Sequence, residues 1–95
     1  MRITFDPVKR EAALRNRRID FADAAAVFEG ATLTFADERF DYPEERYITA
    51  GLLAGRMVIV VWTPTPDGRR IISMRKANAR EQAHYSHRLG QAGRP

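Results

Sequence analysis

The stretch Arg46-Tyr-Ile-Thr-Ala-Gly-Leu-Leu-Ala-Gly-Arg-Met-Val-Ile-Val-Val-Trp-Thr-Pro-Thr-Pro-Asp-Gly-Arg-Arg-Ile-Ile-Ser-Met-Arg-Lys76 decides how this chain folds. It divides into three runs with strand character, Arg46 to Leu53, Met57 to Thr63 and Arg70 to Arg75. Ala54-Gly55 separates the first two and supports a hairpin. Thr63-Pro-Thr-Pro-Asp-Gly68 separates the second and third, with Asp67-Gly68 as its tightest point. Strands that follow one another through such short turns predict an antiparallel meander. Met57-Val-Ile-Val-Val-Trp62 is apolar at both parities, which places it in the middle of the sheet.

Upstream, Ala31 to Ala36 alternates weakly and reads as a further strand. Between it and Arg46 lies an acidic loop with Asp37, Glu38, Asp41, Glu44 and Glu45, and Pro43 bars regular structure there. Asp6-Pro7 is a helix start, a capping carboxylate followed by proline at the first helical position. The helix from Pro7 to about Arg17 is thinly amphipathic. Asp20 caps a second, Ala-rich helix from Phe21 to Phe28, which Gly30 stops. Ile3 to Phe5 is a short first strand. Downstream, Asn78 caps a last helix running to about Leu89, and Glu81 completes a capping box. The order is β-α-α-β-β-β-β-α. It predicts one α+β domain over residues 1–90, helices packed on an antiparallel sheet, with a frayed tail over 91–95.

The chain has 95 residues and no cysteine, so it holds neither a disulfide nor a thiolate metal site. No apolar run approaches the ~20 residues of a membrane span. The start, Met-Arg-Ile-Thr-Phe-Asp-Pro7, lacks the apolar core of a secretory signal, so a soluble cytoplasmic protein is expected. The net charge is +4, and of 16 basic residues only Lys9 and Lys76 are lysine. Arginine pairs with phosphate in two-pronged fashion, so nucleic acid or an acidic protein is the expected partner class. Arg75 and Lys76 end a strand just before the Asn78 cap, a place suited to a phosphate. No Ser-His-Asp set, Cys-His pair or glycine-rich phosphate loop is present, which argues against other common enzyme classes.

These pieces together resemble the BrnT toxins, ribonucleases of bacterial toxin–antitoxin pairs with a RelE-like fold. The resemblance rests on Phe5-Asp-Pro7 with Lys9 and Leu14, the Phe21-to-Phe28 helix and Tyr42-Pro-Glu-Glu-Arg46. It continues through Gly51, the Val58-to-Thr63 strand and Arg70-Ile-Ile-Ser-Met-Arg-Lys-Ala77, ending at Glu81 and Tyr85. Two features depart from the pattern. The turn between the first two helices reads Asn16-Arg-Arg-Ile19, without the usual glycine, and the loop before the last strand carries two prolines. The resemblance implies RNA cleavage without a metal or other cofactor, followed by growth arrest. It further implies a ribbon–helix–helix antitoxin, a two-plus-two complex and repression of the pair's own operator DNA.

Cleavage without a metal uses the 2′-hydroxyl as an internal nucleophile. It needs a base, cations for the developing charge and an acid for the 5′-oxygen. Arg75 is the first candidate to hold the phosphate. Simple alternation puts it on one face with Ile71 and Ser73, and Arg70, Ile72, Met74 and Lys76 on the other, unless the strand ends between Arg75 and Lys76, as the nearby helix cap favours. Its alternative role is an ion pair with an acid of the 37–45 loop. Glu45 is the first candidate base, with Arg46 beside it as a phosphate clamp or a loop salt bridge. Lys76 is a second phosphate contact or acid. Arg69 and Arg70 can track an RNA backbone, and Tyr85 can stack on a base or pack on the sheet. Trp62 can likewise be a base platform, a core residue or an antitoxin-facing one. His84 and His87 lie three apart on the last helix; His84 is the second candidate for proton transfer, and the pair is weak as a metal site. A non-catalytic RNA- or protein-binding domain, or a degenerate toxin serving as co-repressor, is the alternative reading.

Overall fold

The computed structural model describes residues 1–92, with side chains described through Leu89. The elements are β1 (Arg2–Phe5), α1 (Pro7–Arg17), α2 (Ala24–Glu29), β2 (Thr32–Ala36), β3 (Tyr47–Leu53), β4 (Arg56–Thr65), β5 (Gly68–Lys76) and α3 (Ala79–Ala92). A 3-10 turn, Phe21–Asp23, leads into α2, so the expected second helix is shorter in its α-helical part. The last helix runs through Ala92, past its expected end near Leu89; of the tail expected to fray, residues 93–95 lie outside the described residues.

The capping signals are used as written. The Asp6 carboxylate accepts from the Val8 N–H at 2.9 Å, and that of Asp20 accepts from the Ala22 N–H at 2.9 Å. Asn78 and Glu81 form the reciprocal capping box, with bonds of 2.8 and 3.0 Å. Where the glycine is missing after α1, Arg18 itself adopts the left-handed conformation, φ 54° and ψ 41°. Its N–H then closes the helix on the carbonyls of Ala13 and Leu14.

The sheet order is β1-β5-β4-β3-β2. β2 through β5 form the expected antiparallel meander, but β1 lies parallel against β5, so the sheet is mixed. This corrects the purely antiparallel expectation. The chain returns through both N-terminal helices and three strands before β5 arrives to pair with β1, running in the same direction. The Arg2 N–H donates to the Asp67 carbonyl at 3.0 Å. Gly68 makes the approach possible, since a Cβ there would run into the backbone of Arg2.

β4 is central, as its apolarity predicts. Val58, Val60 and Trp62 point to the side covered by α1 and α2, where they pack with Ala13, Ile19, Phe21, Ala24, Val27, Ile71 and Met74. Met57 and Ile59 point to the other side, where they pack with Ala50, Ala77 and Leu89, and with Leu33, Ile48 and Tyr85 at the margin. We call these the two-helix side and the α3 side. The β4–β5 register slips at Trp62, which faces Ile71 while Val61 faces Ser73. Ile72 is thus an extra residue that turns the strand over. Ile71 and Met74 therefore share the two-helix core, and both are essentially fully buried. The alternation expected for β5 is corrected accordingly. Arg70, opposite Thr63, falls on the same side as Arg75, opposite Ile59, rather than with Met74 and Lys76.

Candidate active site

Arg75 leaves β5 on the α3 side and meets the first turn of α3. Its Nη1 and Nη2 donate to the two carboxylate oxygens of Glu81 at 2.7 and 2.8 Å. The partner is thus a helix carboxylate, not an acid of the 37–45 loop. Glu81 is held in place in turn by the capping box. The bond to Glu81 raises the Arg75 pKa, opposed by partial burial and by the like charge of Arg39. The Arg75 bond likewise lowers the pKa of Glu81. Arg75 remains 40% exposed and Glu81 22%, so the pair opens to solvent on its outer side.

Arg39, in the acidic loop, lies near enough for its charge to act on Arg75. It is fixed by Asp37, whose side chain is fully buried. Arg39 donates through Nε and Nη2 to the two Asp37 oxygens, both at 2.7 Å, and through its backbone N–H at 3.3 Å. These bonds, chiefly the guanidinium, bring the Asp37 pKa down to about 2. The Asp37 N–H donates to the Arg46 carbonyl at 2.8 Å, continuing the β2–β3 ladder into the loop. A guanidinium has five N–H donors. Each of these two arginines spends part of its set on one carboxylate.

Tyr85 completes the group. Its ring lies 5.9 Å from that of Phe35 on β2, and its oxygen contributes to the field at Arg75. His84 stands edge-on to Tyr85 at 4.9 Å. Glu81, His84 and Tyr85 occupy positions i, i+3 and i+4 of α3 and so share one helix face.

The other residues singled out from the sequence fall elsewhere. Lys76, opposite Val58, points to the two-helix side and borders a hollow with Arg18, Asp23 and Arg56. Arg69 points to that side too, over the rings of Phe28 and Trp62. Glu45 takes a long hydrogen bond, 3.5 Å, from the Tyr47 hydroxyl, and its backbone carbonyl accepts from the Thr63 hydroxyl. Thr63 is four residues along β4 from Ile59, the partner of Arg75. At ~3.3 Å per residue that is roughly 13 Å. Arg46 bonds Glu44 at 2.9 Å and covers the Tyr42 ring at 4.0 Å, closing the loop on itself. Arg70 is exposed on the Arg75 side. Trp62 is buried and donates through Nε1 to the Thr49 hydroxyl at 2.8 Å. His87 is exposed on α3. Among the described residues no group of three or more His, Cys, Asp or Glu side chains is placed to hold a metal ion.

Sequence reading missed Arg39 and the second function of Glu81. Arg39 sits in a loop without periodicity, so nothing local says that it turns back to the sheet. Glu81 carried a recognisable capping signal, which hid its pairing with Arg75.

The family model of the ribonuclease toxin BrnT, of type II toxin–antitoxin systems, matches residues 5–81. The chain belongs to this family. A search of curated proteins found no match. The BrnT match runs from the Phe5 strand end through Glu81, so it includes Arg39, Arg75 and the first turn of α3 but not His84 or Tyr85. Membership in a type II system implies an antitoxin partner. Among the described residues no helix is long and apolar enough to cross a membrane.

Proposed function

We propose that this BrnT toxin cleaves RNA at the Arg75–Arg39 cluster, using the 2′-hydroxyl as nucleophile and no metal. The observation that carries the reading is the convergence of two guanidiniums, each braced by its own carboxylate, beside Tyr85 and His84. The scissile phosphate takes the N–H groups that Glu81 and Asp37 leave unused. In the reaction the 2′-oxygen bonds to phosphorus and its proton passes to His84. The bond from phosphorus to the 5′-oxygen breaks, and that oxygen takes a proton from the Tyr85 hydroxyl. The products are a 2′,3′-cyclic phosphate and a 5′-hydroxyl end. Negative charge grows on the non-bridging oxygens as the phosphorane forms, and Arg75 and Arg39 meet it without having to reorganise.

Arg70 extends the same side of the sheet as a contact to the RNA backbone. Glu45 is too far along the strand for the Arg75 phosphate and acts by fixing Tyr47. Lys76 is a solvated cation on the opposite side. In the cytoplasm this activity arrests growth until a ribbon–helix–helix antitoxin binds. A two-plus-two complex of the pair then represses its own operator, since the antitoxin's DNA-binding half is itself a dimer.

The test is cleavage of a labelled RNA by purified toxin in the presence of a chelator. Arg75→Ala and Arg39→Ala are each expected to lower the rate by about 10²- to 10³-fold. Intact RNA with wild-type protein would refute the enzyme. Full activity of Arg75→Ala would remove the cluster from the mechanism.

A further inference from the structure

Arg69 is the one functional candidate whose guanidinium is half-buried and yet, among the described residues, has neither a hydrogen bond nor a carboxylate partner. It lies between two rings, 4.1 Å from the centre of Phe28 and 4.4 Å from that of Trp62. Burial pushes its pKa down, which marks a desolvated charge. The ring faces compensate part of that charge but do nothing for the five N–H donors. The side chain is therefore held between two rings and partly desolvated, and its N–H groups face solvent rather than a protein acceptor. It is paired in register with Pro64 on one side and Ile3 on the other.

Resting on the family's possession of an antitoxin, we propose that Arg69 is the anchor of the antitoxin-docking surface and receives an aspartate or glutamate carboxylate of the antitoxin. Two observations favour a protein acid over RNA. First, the aromatic group offers no platform to a base. Trp62 is buried, with Tyr47 stacked on it at 5.0 Å, Phe28 edge-on at 5.7 Å and Arg69 over it. Second, Arg69 faces the two-helix side, whereas Arg75 and Arg70 face the α3 side, so one RNA strand would have to wrap the sheet to touch both. A planar donor set held between two rings suits a carboxylate that arrives with its own apolar neighbours. Arginine is among the few residue types that carry most of the affinity of protein interfaces.

The experiment uses the full-length toxin and the purified product of the reading frame adjacent to its gene. Binding is measured calorimetrically for wild type, Arg69→Met, which keeps the stem between the rings, and Arg69→Lys. RNA cleavage and thermal unfolding are measured on the same preparations. Both variants are expected to unfold within a few degrees of wild type and to cleave RNA at the wild-type rate. Both are expected to bind the antitoxin at least about 30-fold more weakly, near 2 kcal/mol at 1.4 kcal/mol per decade. Wild-type affinity for either variant overturns the proposal. So does a loss of cleavage with antitoxin binding intact, which makes Arg69 an RNA contact. Trp62 is the only tryptophan and touches Arg69, so its emission gives a second reading. A 2′-deoxy analogue of the substrate is expected to leave that emission unchanged, and a change abolished by Arg69→Met would also overturn the proposal. A wild-type toxin that binds the antitoxin through Arg69 but cleaves nothing would refute the catalytic reading alone.

Discussion

Replacing Asp37 by Asn removes one charge from a fully buried side chain and changes little in shape. The carboxylate has its pKa brought from 3.8 down to about 2, first by the Arg39 side-chain bond, and this difference measures how much the fold favours the charged form. Taken at face value it amounts to about 2.5 kcal/mol at neutral pH. Arg39 is 57% exposed, so water and salt screen the pair, and about 1–2 kcal/mol is the appropriate expectation. The sign follows from the depressed value. The stabilisation is complete above the unfolded carboxylate pKa near 3.8 and disappears as the pH falls through about 2. For a domain of this size each kcal/mol moves the melting temperature by about 4–8 °C. Asp37→Asn is therefore expected to melt roughly 5–15 °C below wild type at pH 7. The gap should shrink between about pH 4 and pH 2. The assay is thermal unfolding by circular dichroism across that range, with RNA cleavage followed well below the melting point. Because Asp37 braces Arg39, cleavage is expected to fall along with stability. Equal melting temperatures at pH 7, or a gap that persists unchanged at pH 2, would refute the argument.

Arg18→Gly relieves a left-handed residue at the end of α1 and is expected to raise the melting temperature by a few degrees, for roughly 0.5–1 kcal/mol; a drop would contradict it. Gly68→Ala is expected to cost about 1–3 kcal/mol and to speed amide exchange at Ile3 to Phe5, because the added methyl collides with Arg2. Trp62→Phe keeps most of the packing but takes the donor from Thr49, and is expected to cost about 1 kcal/mol in denaturant unfolding. His84→Gln, on an exposed position, is expected to melt like wild type yet to lower cleavage by about 10²-fold; an unchanged rate would take His84 out of the proton transfers.

Local signals were legible in the sequence because they act over a few residues. The Asp6, Asp20 and Asn78 caps and the Ala54-Gly55 turn are all found where the sequence puts them, the turn with positive φ at both residues. The apolar run of β4 correctly gave its central place. The parallel β1 was not legible, because its partner lies at the far end of the chain and pairing leaves no periodicity behind. Nor was the Ile72 bulge: the adjacent Ile71 and Ile72 break the alternation, but such a pair also suits a strand buried on both faces. That one residue decides which cations share a side with Arg75. Alternation was enough to part Arg75 from Lys76, which the register confirms, but it could not place Arg70. The proposed site includes Arg39, brought in by a loop, and a loop's direction is set by tertiary contacts such as the buried Asp37.

The parallel pairing of β1 with β5 also bears on when this molecule becomes dangerous to the cell that makes it. The β3–β4 hairpin closes through a two-residue turn and needs nothing else from the chain. β1 is made before β5 and must wait for Gly68 to Ile71, its partners, to be synthesised. Arg75, Glu81, His84 and Tyr85 come later still. During translation the nascent chain thus carries an unfinished sheet edge, and the residues of the proposed site come together only after α3 has left the ribosome. Long-range closure of this kind is slow compared with a hairpin. It gives a newly made antitoxin an interval in which to meet the chain before the nuclease is complete.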